Sequence, residues 1–448
     1  MIAADRTLPL VAGLALVLAV LVLPPLWYLL RGSFYTTNAL GEPGDFTFRY
    51  YLELIQGRGF LGDLVNSLIF AGGSTVLTLL LGGLMAWLVE RTNMPGKPLA
   101  YIAALVSLGT PYLIYVIAWL FLVGKNGPVN GAIRALTGNP DAGLNIYSMG
   151  GMVVVEGCLW SPLAFLLLAP VFRMSNADYE EAARMAGAGL VRTLLLISLR
   201  LAAPAFLAIA LLSMVRSLEA FEVPILVGEP GGIDILTTEV YLDLAKKVPP
   251  DLGQASAFSI ALLILTAGLI YGYSRLSRNA AQYQTVTGKG FRPRTIDLGR
   301  ARYLALVLLI LNLTLVLILP MAGLFWLSVM PFSQTVSVHG LQLATMRNYV
   351  TVIHSSHYLD LVWTTFVMAA GGATLAMALT TLCAWLGVRR RRFAWILDQL
   401  ATVPLAFPGI VLGVSLLAMF LSLPIHIYGT IAAFVVAFTI RFLPYGMR

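Results

Sequence analysis

Long apolar runs restrict how this chain can fold more than any other feature of its sequence. Several runs reach about 20 residues, and a helix of that length crosses the hydrocarbon core of a bilayer. Hydrophobic residues make up 59% of the chain and charged residues only 11%, a composition that excludes an ordinary soluble domain. We therefore predict an all-α polytopic membrane protein. The predicted spans lie near residues 8–30, 63–89, 98–123, 149–172, 201–228, 254–274, 303–328, 358–387, 394–421 and 427–445.

Basic residues lie mainly on one side of the predicted membrane. With the N-terminus in the cytoplasm, 19 Lys and Arg residues fall in inner segments and 8 in outer segments, while Arg216 and Arg441 fall in spans. This asymmetry follows the positive-inside rule. We expect a multi-pass membrane protein with residues 173–200 in the cytoplasm. The run Arg389–Arg392 is then an anchor at the lipid headgroups, and nucleic acid is not an expected partner.

One polar segment, residues 175–204, separates two predicted spans and is called the elbow below. Ser175 and Asn176 offer N-cap oxygens, and acidic residues follow in the first turn, where the helix dipole favours negative charge. These signals predict a short helix. Gly187 is expected to end it, and a second helical run from Leu190 leads into the next span. On composition alone, such a segment could also be a capped interfacial loop.

The residue spacing in the elbow resembles the EAA loop of type I ABC-importer permeases. The matching residues are Glu181, Ala182, Ala183 and Gly187, followed after nine residues by Ile197, Ser198 and Leu199. Arg200 departs from the family, which usually has proline there. The resemblance implies that Glu181, Ala182, Ala183 and Gly187 belong to a cytoplasmic coupling helix that docks on an ATPase subunit.

The sequence also contains an internal repeat, offset by 298 residues. The offset pairs Arg49 with Arg347, Tyr51 with Tyr349, Ile55 with Ile353, Gly73 with Gly371, and the tripeptide 86–88 with 384–386. Six predicted spans separate equivalent positions, so both copies enter the membrane in the same orientation. An even number of spans per copy disfavours a secondary transporter built from inverted repeats, which needs an odd number. It leaves open facilitators whose two halves are parallel.

We expect two type I permease units of six transmembrane helices each, the second of them truncated. The first domain covers residues 1–284 and contains the elbow, residues 285–302 form a cytoplasmic linker, and residues 303–448 form the second, incomplete domain. The last span, ending near Pro444, is expected to correspond to the first-copy span ending near Pro170. The natural protein is therefore expected to continue for roughly 100 residues, with a second elbow.

No motif for catalysis or nucleotide binding is present in the sequence. There is no Gly-x-x-x-x-Gly-Lys-Ser/Thr phosphate loop, zinc-protease histidine pair or serine nucleophile elbow. We expect a transport subunit rather than an enzyme, with no cofactor or metal of its own and with ATP bound by a partner. His354 and His357 have a spacing that could contact a metal ion, although loop histidines are common.

Ionisable residues inside predicted spans are candidates for a translocation path, because charge is costly in the bilayer. Arg216, Glu219 and Glu222 follow one another at intervals of three residues, so Arg216 and Glu219 can pair on one helix face. Glu156 is a further candidate in the preceding span. The alternative is a charge ladder that neutralises itself without a role in transport.

The fusion of two permease units, together with residues 217–224, resembles the ferric-iron subgroup of ABC importers most closely. Thiamine, phosphonate and polyamine importers are related alternatives. The resemblance implies a multi-pass location in the bacterial inner membrane. It also implies a cytoplasmic ATPase dimer and a periplasmic or lipid-anchored solute-binding protein as partners. Tyr241 and Leu242, in the predicted outer loop 229–251, could contribute to a docking face. The competing class is a secondary transporter or channel without an ATPase.

Overall fold

The computed structural model describes residues 8–37, 43–174, 178–280, 295–389, 391–424 and 426–447. Within these ranges, eight helices are long and apolar enough to cross a membrane. This confirms the predicted all-α polytopic fold. The candidate spans are Pro9–Phe34, Gly59–Arg91, Tyr112–Thr137, Met149–Met174, Leu194–Leu218, Leu252–Gly272, Gly299–Val329 and Ser356–Arg389.

The helices follow one another with short connections. Up to the elbow they are α1 (Leu8–Phe34), α2 (Arg49–Gln56), α3 (Arg58–Arg91), α4 (Lys97–Leu108), α5 (Tyr112–Val123), α6 (Pro128–Thr137) and α7 (Met149–Met174). The elbow and the following segment hold α8 (Asp178–Met185), α9 (Leu190–Thr193), α10 (Leu199–Leu218), α11 (Leu236–Ala245) and α12 (Leu252–Ala280). The rest of the described chain forms α13 (Arg302–Leu313), α14 (Leu319–Val329), α15 (Val338–Gln342), α16 (Arg347–His354), α17 (Ser356–Arg389), α18 (Arg391–Thr402), α19 (Gly409–Ser422) and α20 (Ile431–Gly446).

Besides short 3-10 turns, π-helical segments and a β-hairpin interrupt this helical series. Within the described ranges, three segments adopt a π-helix, in which each hydrogen bond spans one residue more than in an α-helix: Leu194–Ser198, Pro224–Gly228 and Thr314–Ile318. A two-stranded antiparallel hairpin follows α1, formed by β1 (Tyr35–Thr37) and β2 (Pro43–Phe46), and it pairs Tyr35 with Phe46.

The helix bounds repeat along the chain at the predicted offset of 298 residues. Helices α2 and α16 both contain 8 residues, and each is followed after one residue by a helix of 34 residues, α3 or α17. All four bounds of the first pair recur in the second at this offset. The helix bounds therefore agree with the repeat. The domain boundaries near residues 284 and 303 stay a prediction.

Two predicted spans are wrong as single helices. The segment 98–123 forms α4 and α5, which are separated at Gly109–Pro111, and the segment 394–421 forms α18 and α19, which are separated by a 3-10 turn and Phe407–Pro408. Proline lacks an N–H donor and collides with the preceding turn, so both helices break where a proline follows. The breaks lie at equivalent positions in the two copies.

The predicted correspondence of Pro444 with the end of α7 is also wrong. Helices α7 and α20 begin at Met149 and Ile431, an offset of 282 residues, and the same offset pairs Pro444 with Pro162 in the middle of α7. The offset falls by 16 residues because no counterpart of α6 is described between α19 and α20.

Helices α3 and α7 approach each other closely at Gly82. A methyl group on Gly82 would lie 2.6 Å from the carbonyl oxygen of Ser161 and 2.8 Å from the Cβ of Ala164. In the second copy the glycine is on the other helix, because a methyl group on Gly446 of α20 would lie 2.5 Å from the hydroxyl of Thr380 in α17. Each helix pair thus contains one residue without a side chain at this crossing.

The contacts group the chain into two compact units. One contains the residues up to Leu64 together with Ile235–Gly268 and Tyr349–Arg448, and the other contains Val65–Asp234 and Leu269–Asn348. The first unit has an apolar core drawn from α1, α11, α12 and α19, with Leu236 and Val411 among its buried side chains. The second unit has a core drawn from α3, α4, α7 and α10. Each unit therefore combines segments of both sequence copies.

Candidate functional site

The elbow begins with the predicted short helix, α8. Its proposed N-cap residues, Ser175 and Asn176, lie outside the described residues, but its first turn carries acidic residues as expected. The helix ends as predicted at Gly187, whose φ of +84° lies in the left-handed region. The amide of Ala188 donates to the carbonyl of Ala183 at 2.9 Å, which is the capping contact of a Schellman motif. A residue with a side chain would be strained at position 187.

The second arm of the elbow leads directly into a membrane span. The predicted helical run from Leu190 is present as α9, but it continues as the π-helical segment Leu194–Ser198 before α10 begins. A π-helical turn inside an α-helix is rare and often lies at a functional position.

The predicted docking residues lie on the outside of the elbow. Glu181, Ala182 and Gly187 are exposed, and Ala183 is half-buried. The small side chains of the two alanines leave the backbone of α8 accessible to the surface of another protein. This exposed face is called the docking face below. That it binds an ATPase stays a prediction.

The adjacent glutamate, Glu180, points inward and was not identified from the sequence. Its side chain is only 2% exposed, and the buried guanidinium of Arg91 donates to its Oε2 from Nη2 at 2.5 Å and from Nε at 3.2 Å. The hydroxyl of Ser198 donates to Oε1 at 2.7 Å. These three residues, called the buried triad below, connect α8 with the last residue of α3 and with the π-helical segment.

A second ion pair lies beside the buried triad. Arg173, near the end of α7, donates to both carboxylate oxygens of Glu90 at 2.9 and 3.0 Å, and to the hydroxyl of Tyr101 at 2.9 Å. Tyr101 also donates to Glu90. The last two residues of α3, Glu90 and Arg91, therefore contact the chain on both sides of residues 175–177.

Two of the four candidate path residues, Glu156 and Arg216, contact Trp160. The four residues and Trp160 are called the Trp160 cluster below. Arg216 and Glu219 form the predicted ion pair, at 3.8 Å, and the guanidinium carbon of Arg216 lies 5.9 Å from the centre of the Trp160 ring. The indole N–H of Trp160 donates to buried Glu156 at 2.9 Å. Glu222 is close enough to Glu156 to interact with it electrostatically. The structure thus brings these residues together, but their role in transport stays a prediction.

The alternative of a charge ladder along one helix is wrong for Glu222, although its first pair, Arg216 and Glu219, is present. Helix α10 ends at Leu218, and the next helical turn begins beside Pro224. A proline ring crowds the carbonyl four residues earlier, here that of Ala220, which disfavours a regular helix through this point. Glu222 therefore does not extend the helix face of Arg216 and Glu219.

The remaining predicted contact residues lie apart from these sites. Tyr241 is exposed and Leu242 half-buried on α11, so both remain candidates for a docking face. His354 is the last residue of α16, and its Nδ1 lies 2.9 Å from the carbonyl oxygen of Val350. Among the described residues, no three His, Cys, Asp or Glu side chains are grouped so that they could hold a metal ion.

A family model described as "Binding-protein-dependent transport system inner membrane component" matches residues 78–278, a segment that contains the elbow and the Trp160 cluster. The ferric transport system permease protein FbpB of Actinobacillus pleuropneumoniae is 25% identical over 406 residues, which is 88% of this chain and 57% of that protein. A second FbpB-type protein, from Haemophilus influenzae, is 24% identical, over 89% of this chain and 61% of that protein. The chain thus spans about three fifths of these relatives.

Relatives with other names are similar as well. A protein named as a candidate 2-aminoethylphosphonate transport system permease, PhnU of Salmonella paratyphi A, is 27% identical over 259 residues, which is 58% of this chain and 87% of that protein. One solved structure, a bacterial ABC transporter involved in the import of the acidic polysaccharide alginate, matches with a TM-score of 0.47 and 17% identity, over 61% of this chain and 99% of that chain.

Proposed function

Because residues 78–278 of this chain belong to the family of binding-protein-dependent transport system inner membrane components, we propose that the protein forms the membrane path of an ATP-driven importer. The family match and the eight apolar helices confirm its predicted multi-pass location in the bacterial inner membrane. In this proposal, separate ATPase subunits supply the energy, and a solute-binding protein delivers the solute to the outer face.

The elbow is the observation that carries the proposal. A short helix with an exposed, small-residue face lies between two spans, and its other face is bound to the membrane domain by a buried ion pair. A loop that only joined two spans would need neither feature. A helix that transmits force from another protein needs both an accessible surface and a firm internal attachment.

The proposed solute is ferric iron. Two relatives named as ferric transport permeases match most of this chain, and both are longer than it. The path candidates add a physical reason, since Glu219 and Glu222 outnumber Arg216 and favour a cationic solute. We expect radioactive ferric iron to enter cells that express the complete transport system. Uptake of a phosphonate with no uptake of iron would refute this choice.

A phosphonate is the second candidate solute, because the PhnU relative is covered over 87% of its length. Competition between the two solutes in the same uptake assay distinguishes them. Thiamine and polyamines remain further alternatives in the family.

Co-purification in detergent with an ATPase subunit tests the docking face. Gly187→Pro and Glu181→Lys are expected to abolish it, the first by breaking the left-handed turn and the second by reversing a charge on the docking face. If both variants still bind the ATPase, the docking face is not where it binds, and the competing class of transporter without an ATPase has to be reconsidered.

Gly138 offers a matched control for the turn. It caps α6 with a φ of +65°, and as at Gly187, no atom lies within 4 Å of the position of an added Cβ. Alanine at either position therefore meets a similar backbone cost of about 1 to 2 kcal/mol. We expect Gly187→Ala to weaken ATPase binding and Gly138→Ala to leave it unchanged.

A further inference from the structure

The buried triad connects three helical elements of one compact unit. Glu180 belongs to α8, Arg91 is the last residue of α3, and Ser198 ends the π-helical segment before α10. The side chains of Glu180 and Arg91 are each 2% exposed, so water cannot replace either partner. A buried ion left without its partner is strongly destabilising, which makes separation of α8 from α3 costly.

The neighbouring ion pair cannot serve the same purpose. The Arg173 side chain is 57% exposed, so its contact with Glu90 can exchange with water. It also holds the end of α7 rather than α8 itself. Of the two ion pairs, only the one within the buried triad includes a residue of α8, the helix that carries the docking face.

The buried triad also leads toward the candidate path. Helix α10 begins directly after Ser198, and its 20 residues extend for about 30 Å to the ion pair of Arg216 and Glu219. A displacement of Ser198 therefore moves the start of the helix whose other end holds this pair.

We propose that the buried triad makes α8, the end of α3 and the start of α10 move as one body, so that force on the docking face reaches the Trp160 cluster. Arg91 and Glu180 are positioning residues in this proposal, which rests on the proposed function of the elbow. Glu180 and Glu181 then have opposite tasks: one attaches α8 to its own membrane domain, and the other faces the ATPase.

Spin labels on α8 and α3 test the proposal without knowledge of the solute. Met185→Cys and Val76→Cys place labels at two exposed positions of the same compact unit, and the native cysteines are buried. In the full chain bound to its ATPase subunits, we expect ATP to leave the distance between the labels unchanged. In Arg91→Met/Glu180→Met, which removes both charges together, ATP is expected to change this distance by several ångströms.

The controls separate a connecting role from a merely structural one. Arg173→Met is expected to behave like the unsubstituted labelled chain, because it leaves the buried triad intact. Ser198→Ala removes only one hydroxyl and is expected to allow a smaller ATP-dependent change in the distance between the labels. If the double variant does not fold, this variant alone tests the proposal. A distance that changes with the buried triad intact, or stays constant without it, overturns the proposal. Failure of the unsubstituted chain to bind the ATPase would instead refute the proposed function and the inference with it.

Discussion

Gly82→Ala should destabilise the protein, although alanine favours helices more than glycine does. The added methyl group would lie 2.6 Å from the carbonyl oxygen of Ser161 and 2.8 Å from both the Cβ of Ala164 and the amide nitrogen of Phe165. Two of these three atoms belong to the backbone of α7, so no side-chain rotation can relieve the contact, and α3 must move away from α7. Overpacking of this kind costs about 1 to 3 kcal/mol. The helix preference of alanine offsets about 0.5 to 1 kcal/mol of this cost, which leaves a net loss of up to about 2.5 kcal/mol.

Gly72→Ala is the matched control in the same helix. No atom lies within 4 Å of a Cβ added to Gly72, so only the helix preference changes, and the substitution is expected to stabilise the protein by about 0.5 to 1 kcal/mol. The same chemical change thus has opposite signs at two positions that are ten residues apart.

Heating in detergent followed by size-exclusion chromatography measures the effect as a midpoint of loss of the folded peak. We expect a lower midpoint than that of the unsubstituted protein for Gly82→Ala and a higher one for Gly72→Ala. Ala164→Gly in the Gly82→Ala background is expected to restore part of the loss, since it removes one of the three contacts. Equal midpoints for the Gly82 and Gly72 variants would refute the close approach of α3 and α7.

Two further predictions concern polar groups outside the elbow. Burial raises the pKa of the Asp243 carboxyl above its ordinary value of 3.8, against the opposing effect of the Lys247 ammonium 2.5 Å away. The native state then keeps a proton that the unfolded chain has released, so stability should fall as the pH rises above 3.8 through the raised pKa. Asp243→Asn is expected to flatten this part of the pH profile of the melting midpoint, and an unchanged slope would contradict the reasoning. Arg441→Met removes the guanidinium that donates to the Phe407 carbonyl at 2.8 Å, beside the break between α18 and α19. The substitution should cost about 1 to 3 kcal/mol in thermal stability. A midpoint equal to that of the unsubstituted protein would show that the contact contributes nothing.

Local signals in the sequence were enough to predict the elbow. A left-handed glycine, acidic residues in a first turn and the change from polar to apolar residues each act over a few positions, and each has the predicted outcome in α8 and α9. Hydropathy averaged over about 20 residues is less sensitive to single residues. Averaged hydropathy therefore did not predict the breaks beside Pro111 and Pro408, although both prolines are present in the sequence.

The different positions of Glu180 and Glu181 could not be derived in this way. Both are acidic and lie in the same helical turn, and only the tertiary structure decides which one faces inward. The partner of Glu180 lies 89 residues away, at the end of α3. Ser198 was visible as part of the resembled motif, but nothing local indicated that its hydroxyl would bind a carboxylate. Similarly, the compact units arise from contacts between distant segments, which no local pattern reports.

Helix α6 shows what the fusion of the two copies permits. Among the described residues, 16 around this helix have no counterpart in the other copy, where α19 leads to α20 by a shorter connection. A gene encoding a homodimer would acquire any such insertion or deletion in both subunits at once. A duplicated gene that is read as one frame escapes this restriction, and it also keeps the two halves at equal abundance without any control of their expression. The pair can therefore evolve with the freedom of a heterodimer while being inherited, translated and lost as a single unit.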